Sequence, residues 1–258
     1  MKNKRYIFPL ISLLFLAACS PKTKQAEPAS ETTAKTATGD IDLDKKLNAE
    51  AGLPSIIEIV FSSDTVSPDG LMELCGKYNI DRKSVYKWRN HVIIYDVSGP
   101  DKSAEMETDI ARTYPDEQIN RIKYYDIPYY IFDRKNCEKR ETASEWSHTI
   151  MTANIVADST MQQEYMNYHA TQAEQWPEIA NGFCKADFQQ LLMFCNGRQL
   201  MLIISIPKGE NLDDLNPRTT ENNPRVDEWN AVMAKYQEGI EDADKGDVWV
   251  TFEQLTIN

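Results

Sequence analysis

The sequence predicts an α+β fold made of two tandem ferredoxin-like units, each with the element order βαββαβ. Short runs of β-branched and apolar residues alternate with longer segments whose apolar residues recur at helical spacing. This order occurs once in residues 53–140 and again in residues 141–258. Because helices cover only one face of each sheet, the two open faces can bury each other. We therefore expect an intramolecular version of the dimeric α/β barrel.

In the first unit, the β-branched run SIIEIVFSS predicts a strand. A helix should follow, with Ser67 as its N-cap and Pro68 at its first position. The segment VYKWRNHVIIYDV predicts a hairpin that turns near Arg89 and Asn90. DKSAEMETDIARTY predicts a second helix that ends before Pro115, and INRIKYYDIPYYIF predicts one closing strand.

The second unit repeats this order after a charged loop. HTIMTANIV predicts its first strand, and Thr160 with Gln163 forms a capping-box pattern before the helical segment MQQEYMNYHATQAEQ. FQQLLMFCNGRQLMLIISI predicts a hairpin that turns at Asn196–Gly197. Asn223 as N-cap opens the second helix, and the alternating segment DVWVTFEQL closes the unit.

The first residues predict a leader that is removed. Lys2, Lys4 and Arg5 precede the apolar run YIFPLISLLFL, which is too short for a spanning helix. The following LAAC resembles the lipobox of bacterial lipoproteins. This resemblance implies removal of residues 1–18 and attachment of lipid to Cys19. A plain secretory signal with an incidental cysteine is the alternative.

Residues 19–52 predict a flexible tether. From residue 20 onward this segment contains no aromatic residue and many Ser, Thr, Ala, Lys and Glu, so it cannot bury enough apolar surface to offset its ordering entropy. Ser20 after Cys19 resembles an outer-membrane sorting signal of Gram-negative bacteria. We therefore expect a lipid-anchored protein of the cell envelope, in the outer membrane and either periplasmic or surface-facing.

The charge balance excludes one class of partner. Removal of residues 1–18 takes away three basic and no acidic side chains, so the net charge falls from −12 to −15. An acidic surface repels phosphate backbones and anionic headgroups, so no nucleic-acid partner is expected. The lipid, rather than a basic patch, should hold the protein at the membrane.

Four cysteines remain after the leader, namely Cys75, Cys137, Cys184 and Cys195, and none lies in a C-x-x-C pair. Buried free thiols are the simplest expectation for them. A disulfide is also permitted outside the cytoplasm, but the pairing cannot be read from the sequence. No H-E-x-x-H or paired C-x-x-C motif occurs, so we expect no metal and no other cofactor.

The second unit carries four motifs in a fixed order, namely EYMNYH, WPEI, NPRVDEWNAVMAKYQ and GDVWVTFEQL. Over residues 148–258 they resemble the L-rhamnose mutarotase family, whose ferredoxin-like fold pairs as a dimeric barrel. The resemblance implies an isomerase that interconverts the α and β anomers of a rhamnose-like monosaccharide without a cofactor. The first unit has none of these motifs and is interpreted as a degenerate copy.

The resemblance also implies site residues. Tyr165 and His169 match the family's helix and, standing four apart, share one helix face. They are the catalytic candidates, with His169 as acid/base because a histidine pKa lies near neutrality. Ring opening needs a base at the anomeric hydroxyl and an acid at the ring oxygen. Trp229, Trp176 and Met233 are the candidates for substrate binding.

The chain departs from the family pattern in two places. Six residues separate His169 from Trp176, where the family has three, which lengthens the helix or moves the tryptophan. The strand segment QQLLMF has leucines where the family has tyrosines. Tyr86 and Trp88 of the first unit are hypothesised to supply ring contacts from a pseudo-symmetric position.

Two other functions compete with a mutarotase. One is a carbohydrate-binding lipoprotein without turnover, and the other is a structural module of a sugar-uptake system. Loss of rate in a His169 variant would separate the enzyme from both. His91 and His148 are expected to be structural. Because the two units pair within one chain, we expect a monomer.

Overall fold

The computed structural model describes residues 52–95 and 100–255. The predictions on the leader, Cys19 and most of the tether lie outside these residues. Within the described part of the chain, no helix is both long enough and apolar enough to cross a membrane.

The elements before residue 140 follow the predicted order, except at the end. They are β1 (Ile56–Phe61), α1 (Asp69–Lys77), β2 (Val85–Trp88), β3 (His91–Tyr95), α2 (Pro100–Thr113), β4 (Ile119–Tyr125) and β5 (Tyr130–Asp133). The prediction of one closing strand is wrong, because the chain leaves β4 before Pro128 and β5 pairs elsewhere in the sheet.

The elements after residue 140 contain more short helices than predicted. They are β6 (Trp146–Ile155), α3 (Ser159–Ala170), α4 (Gln172–Gln175), α5 (Pro177–Lys185), β7 (Gln190–Asn196), β8 (Gln199–Pro207), α6 (Leu212–Leu215), α7 (Pro224–Met233), β9 (Gln237–Glu238) and β10 (Val250–Gln254). The added residues before Trp176 form α4 instead of extending α3.

The predicted turns are confirmed, but two of the predicted caps are wrong. Arg89 and Gly197 adopt positive φ in the two hairpins, and α7 starts directly after Asn223. The N-cap of α3 is Asp158, whose side chain accepts from the Met161 N–H at 2.9 Å, so the predicted capping box does not form. Helix α1 begins one residue later than predicted, with Ser67 accepting from the backbone of Asp69.

The described strands form one antiparallel sheet with the order β4-β1-β3-β2-β10-β6-β8-β7-β5, and β9 pairs with the side of β6. The four main strands of each half lie in the order fourth, first, third, second. The halves join where β2 pairs with β10. The sheet curls, since the Asn196 side chain at the end of β7 donates to the Tyr124 carbonyl of β4 at 2.9 Å. The predicted α+β class is confirmed, whereas the tandem ferredoxin-like barrel stays a prediction.

Alternate residues of β1 show the two faces of this sheet. Ile57 and Ile59 pack into the apolar cluster beneath the first-half helices. Ile56 packs with Phe194 and Ile203 of the second half. Burial of each such side chain contributes about 1.5–3 kcal/mol, so the core shared by the two halves is a substantial stabilising term.

A disulfide corrects the expectation of free thiols at two positions. Cys137 and Cys184 are bonded, with their Cα atoms 5.8 Å apart. Arg134 adds an ion pair with Asp187 at 2.9 Å in the same region. The segment after β5 is therefore fastened to the end of α5. Cys75, which is buried, and Cys195 are free thiols.

Candidate active site

Helix α3 presents one face to the core of the second half. Its Asp158 cap fixes the first turn, and the four-residue spacing then places Tyr165 and His169 together on the buried face. Their exposed fractions are 0% and 8%. The predicted catalytic pair is thus adjacent and enclosed, with ring centroids 4.7 Å apart.

The two nitrogens of His169 have different surroundings. Nδ1 lies 3.2 Å from the Oε1 atom of Gln172, a carbonyl oxygen that only accepts, so this contact assigns the ring proton to Nδ1. Among the described residues, Nε2 has no hydrogen-bond partner. Burial lowers the pKa of His169 from 6.5 to about 4, which corrects the expectation of a pKa near neutrality. The imidazole is therefore neutral at pH 7, with a lone pair on Nε2.

Aromatic rings surround this imidazole. Its centroid lies 5.2 Å from that of Trp229, 5.4 Å from that of Tyr129 and 5.5 Å from that of Tyr130. Trp229 packs nearly perpendicular to the imidazole, in an edge-to-face contact. The immediate surroundings of the imidazole are therefore mostly apolar, apart from the tyrosine hydroxyls and the side chain of Gln172.

The predicted substrate-binding residues lie in the same cluster. The ring centroids of Trp176 and Trp229 are 5.5 Å apart. The guanidinium of Arg225 lies 3.8 Å from the centroid of the Trp176 ring. Met233 is buried one turn beyond Trp229. The longer spacing has therefore not separated Trp176 from the cluster, because the short helix α4 takes up the added residues.

The hydroxyl of Tyr165 belongs to a small network. It lies 3.0 Å from the hydroxyl of Tyr129 and is also hydrogen-bonded by the side chain of Gln237. The Trp249 indole N–H donates to Oε1 of the Gln237 side-chain amide at 3.1 Å, so the NH₂ group of that amide faces Tyr165. Burial raises the pKa of Tyr165 to about 12 and that of Tyr129 well above its usual value, so both hydroxyls stay protonated.

Sequence reasoning missed Tyr129, Tyr130 and Gln172. The two tyrosines follow Pro128, and a proline inside the predicted closing strand was the local signal of a break. Their position near His169 depends on the pairing of β5 with β7, where Tyr130 lies opposite Met193.

The hypothesis that Tyr86 and Trp88 contribute ring contacts is wrong. Both side chains belong to the apolar cluster between the two halves, not to the cluster around His169. Their positions on β2 direct them to the opposite face of the sheet from the helices. Trp88 instead contacts His91, with a centroid distance of 5.5 Å. In the described part of the chain, no group of three or more His, Cys, Asp or Glu side chains could hold a metal ion.

A neutral buried imidazole beside protonated tyrosines and indole rings is a set of groups chemically suited to acid/base work on a small organic molecule. Residues 133–255 match the family model described as L-rhamnose mutarotase. This match covers just under half of the chain and includes the predicted catalytic and substrate-binding residues. The predicted resemblance of the second half to that family is confirmed.

The chain is also similar to a known sugar mutarotase. An L-fucose mutarotase from Xanthomonas campestris pv. campestris is 25% identical over 93 residues, which are 36% of this chain and 72% of that protein. Tyr129 and Tyr130 precede the segment that matches the family model.

Proposed function

We propose that the protein is a cofactor-independent sugar mutarotase that interconverts the α and β anomers of a rhamnose-like pyranose. The observation that carries this proposal is the unpartnered Nε2 of His169, a buried base enclosed by aromatic rings. The family match and the L-fucose mutarotase relative support it. L-rhamnose and L-fucose are both 6-deoxyhexoses, so this sugar class is the proposed substrate.

The proposed mechanism uses Tyr165 and His169 as acid and base. Nε2 of His169 accepts the proton of the anomeric hydroxyl while the bond between C1 and the ring oxygen breaks. This mechanism takes Tyr129 and Gln237 as donors to the Tyr165 oxygen, which leaves the Tyr165 proton for the departing ring oxygen. Rotation about C1–C2 exposes the other face of the aldehyde. Closure then returns both protons and forms the other anomer.

The indole rings supply the binding surface in this proposal. A pyranose has an apolar face of C–H groups that packs against an aromatic ring. Trp229 and Trp176 offer such faces beside His169, and Met233 adds an adaptable apolar contact. An apolar wall also suits the methyl group at C6 of a 6-deoxy sugar.

A non-catalytic carbohydrate-binding or structural lipoprotein of a sugar-uptake system is the second candidate. The observation that favours it is how fully side chains fill the site. Tyr165 is 0% and His169 8% exposed, and aromatic rings are in mutual contact around them. A sugar can reach Nε2 only if some of these rings move.

Anomer exchange measured by saturation-transfer proton NMR on L-rhamnose and L-fucose separates these candidates. We expect the protein to exceed the spontaneous rate, and His169→Gln to lower the catalysed rate about 100-fold or more while sugar binding persists. His148→Gln is the matched control, because that histidine bonds Ser205 and is not in the cluster. If the unaltered protein leaves anomer exchange of both sugars at the spontaneous rate, the proposal of an enzyme is rejected.

We further propose that the two halves are tandem ferredoxin-like units paired as an intramolecular barrel, and that the protein is a monomer. The equivalent strand order of the two halves and their shared apolar core support this arrangement. Light scattering coupled to gel filtration tests the monomer, and a mass near twice 29.6 kDa for the unprocessed chain would contradict it.

We also propose that lipid on Cys19 anchors the protein in the cell envelope, in the outer membrane. The lipobox-like segment LAAC and the following Ser20 support this location. Metabolic labelling with a fatty-acid analogue should mark the protein, and Cys19→Ala should abolish both the label and the membrane fraction. An unlabelled protein secreted in soluble form would favour the plain signal peptide.

A further inference from the structure

Strand β5 lies in the sequence between the two halves and joins the sheet at the edge of the second. Tyr129 N–H donates to the Met193 carbonyl at 2.9 Å, and Tyr130 lies opposite the same residue of β7. Tyr129, directly before the strand, and Tyr130, its first residue, thus lie beside the segment QQLLMF, which has no tyrosine of its own. On the helix-covered side, β7 presents apolar side chains such as Leu191 and Met193.

Tyr129 contacts the proposed acid. Its hydroxyl lies 3.0 Å from that of Tyr165, and this hydrogen bond lowers the pKa of Tyr165 against the larger effect of burial. A donor to the Tyr165 oxygen stabilises the negative charge that develops there when Tyr165 gives up its proton. Tyr129 therefore makes Tyr165 a stronger acid and orients its free proton.

Tyr130 contacts the partner of the proposed base. The Tyr130 ring lies 5.5 Å from that of His169, its hydroxyl interacts with the side chain of Gln172, and that side chain presents Oε1 to His169 Nδ1 at 3.2 Å. With its NH₂ group on the side of Tyr130, this amide has its oxygen on the side of the imidazole, where it accepts from Nδ1. This orientation keeps the proton on Nδ1 and leaves Nε2 free to accept one.

We propose that β5 is an integral part of the active site, with Tyr129 positioning Tyr165 as the acid and Tyr130, through Gln172, fixing the tautomer of His169. This inference rests on the proposed mutarotase function. It assigns the hydroxyls that β7 lacks to Tyr129 and Tyr130, which both precede the segment that matches the family model.

The segment that follows β5 is held firmly, as a positioning element requires. The Cys137–Cys184 disulfide joins it to the end of α5. Arg134 pairs with Asp187 at 2.9 Å and donates from Nε to the Glu141 carbonyl at 2.9 Å. The register of β5 against β7 is thus fixed by covalent, ionic and backbone contacts together.

Steady-state anomer exchange in Tyr129→Phe and Tyr130→Phe tests this inference on the full chain. We expect kcat to fall about tenfold or more in each variant, while KM for L-fucose or L-rhamnose changes less than about threefold. Tyr125→Phe is the matched control, because it also removes a buried hydroxyl, the one that donates to Glu58 at 2.9 Å outside this cluster. Its kcat should match that of the unaltered protein.

A second readout needs no sugar. The ¹⁵N chemical shifts of His169 report which ring nitrogen carries the proton. We expect the unaltered protein and Tyr125→Phe to show the Nδ1–H tautomer, and Tyr130→Phe to show an increased share of Nε2–H. A merely structural role for Tyr130 would leave this ratio unchanged.

The outcomes separate the inference from the function on which it rests. Exchange by the unaltered protein with unchanged kcat in both Phe variants would overturn the inference and leave the mutarotase standing. Loss of kcat in both variants with a shifted tautomer in Tyr130→Phe would support both. If the unaltered protein accelerates neither sugar, the function fails and the inference fails with it.

Discussion

Two buried histidines, one in each half of the chain, show how differently a protein can enclose the same side chain. His91 is 3% exposed, with Nδ1 2.8 Å from Glu58 and Nε2 3.3 Å from Asp242. His169 is 8% exposed and has a partner at Nδ1 alone. Because a buried polar atom without a partner costs free energy, the unpartnered Nε2 of His169 supports the role proposed for it, whereas the contacts of His91 account for its burial.

The partners of His91 explain its structural role. Glu58 is fully buried and accepts from Tyr125 at 2.9 Å and from Gln199 at 3.0 Å. Burial raises the pKa of Glu58, but the hydrogen bonds and charge of His91, with those of the other partners, hold it below its usual value. Gln199 also donates to Thr152 at 3.0 Å, so the network joins strands of both halves.

The comparison predicts that His91→Ala destabilises the fold far more than His169→Gln. His91→Ala takes one hydrogen-bond partner from the fully buried Glu58 carboxyl, and a buried charged group that loses a partner typically costs about 3 kcal/mol. Chemical denaturation of both variants measures the difference. If His91→Ala lowers the free energy of unfolding by less than about 1 kcal/mol, the network does not stabilise the contact between the halves.

Reduction of the disulfide should affect the His169 side of the molecule selectively. Cys137–Cys184 closes a separation of 47 residues, and its loss should lower the free energy of unfolding by roughly 2–4 kcal/mol. The double variant Cys137→Ser/Cys184→Ser tests this by denaturation and anomer exchange. We expect slower exchange at a temperature where the protein remains folded, and Cys75→Ser serves as the control.

The pH dependence should sharpen the contrast further. The pKa of His169 is about 4 in the folded state and 6.5 in the unfolded chain, so the unfolded state binds more protons between these values. Stability therefore falls as the pH drops from 6.5 to 4, by up to about 3 kcal/mol from this group. The difference in unfolding free energy between the unaltered protein and His169→Gln should show this change.

The catalysed rate should depend on the same pKa. We expect it to stay level from pH 7 to 5 and to fall near pH 4, where Nε2 of His169 becomes protonated. A midpoint near pH 6.5 would show that burial does not lower this pKa.

Features set by neighbouring residues could be predicted from the sequence. The four-residue spacing of Tyr165 and His169 places them on one helix face in any α-helix, and Asn196–Gly197 favours a tight turn wherever it occurs. The helix start shows the limit of such reasoning, because Asp158 competes with a nearby capping-box pattern that proved wrong.

Features that depend on distant pairing could not be predicted. The partner of Cys137 and the pairing of β5 with β7 bring together residues about 50 to 60 positions apart, and no local pattern specifies either. The low pKa of His169 likewise arises from burial, and the rings around it come from α3, α7 and the start of β5. Local spacing in the sequence therefore determined the α+β class, the histidine-bearing helix and the resemblance to a sugar mutarotase. Only the tertiary structure decided which atoms surround that histidine, because burial and hydrogen bonding are properties of the folded neighbourhood rather than of the chain segment.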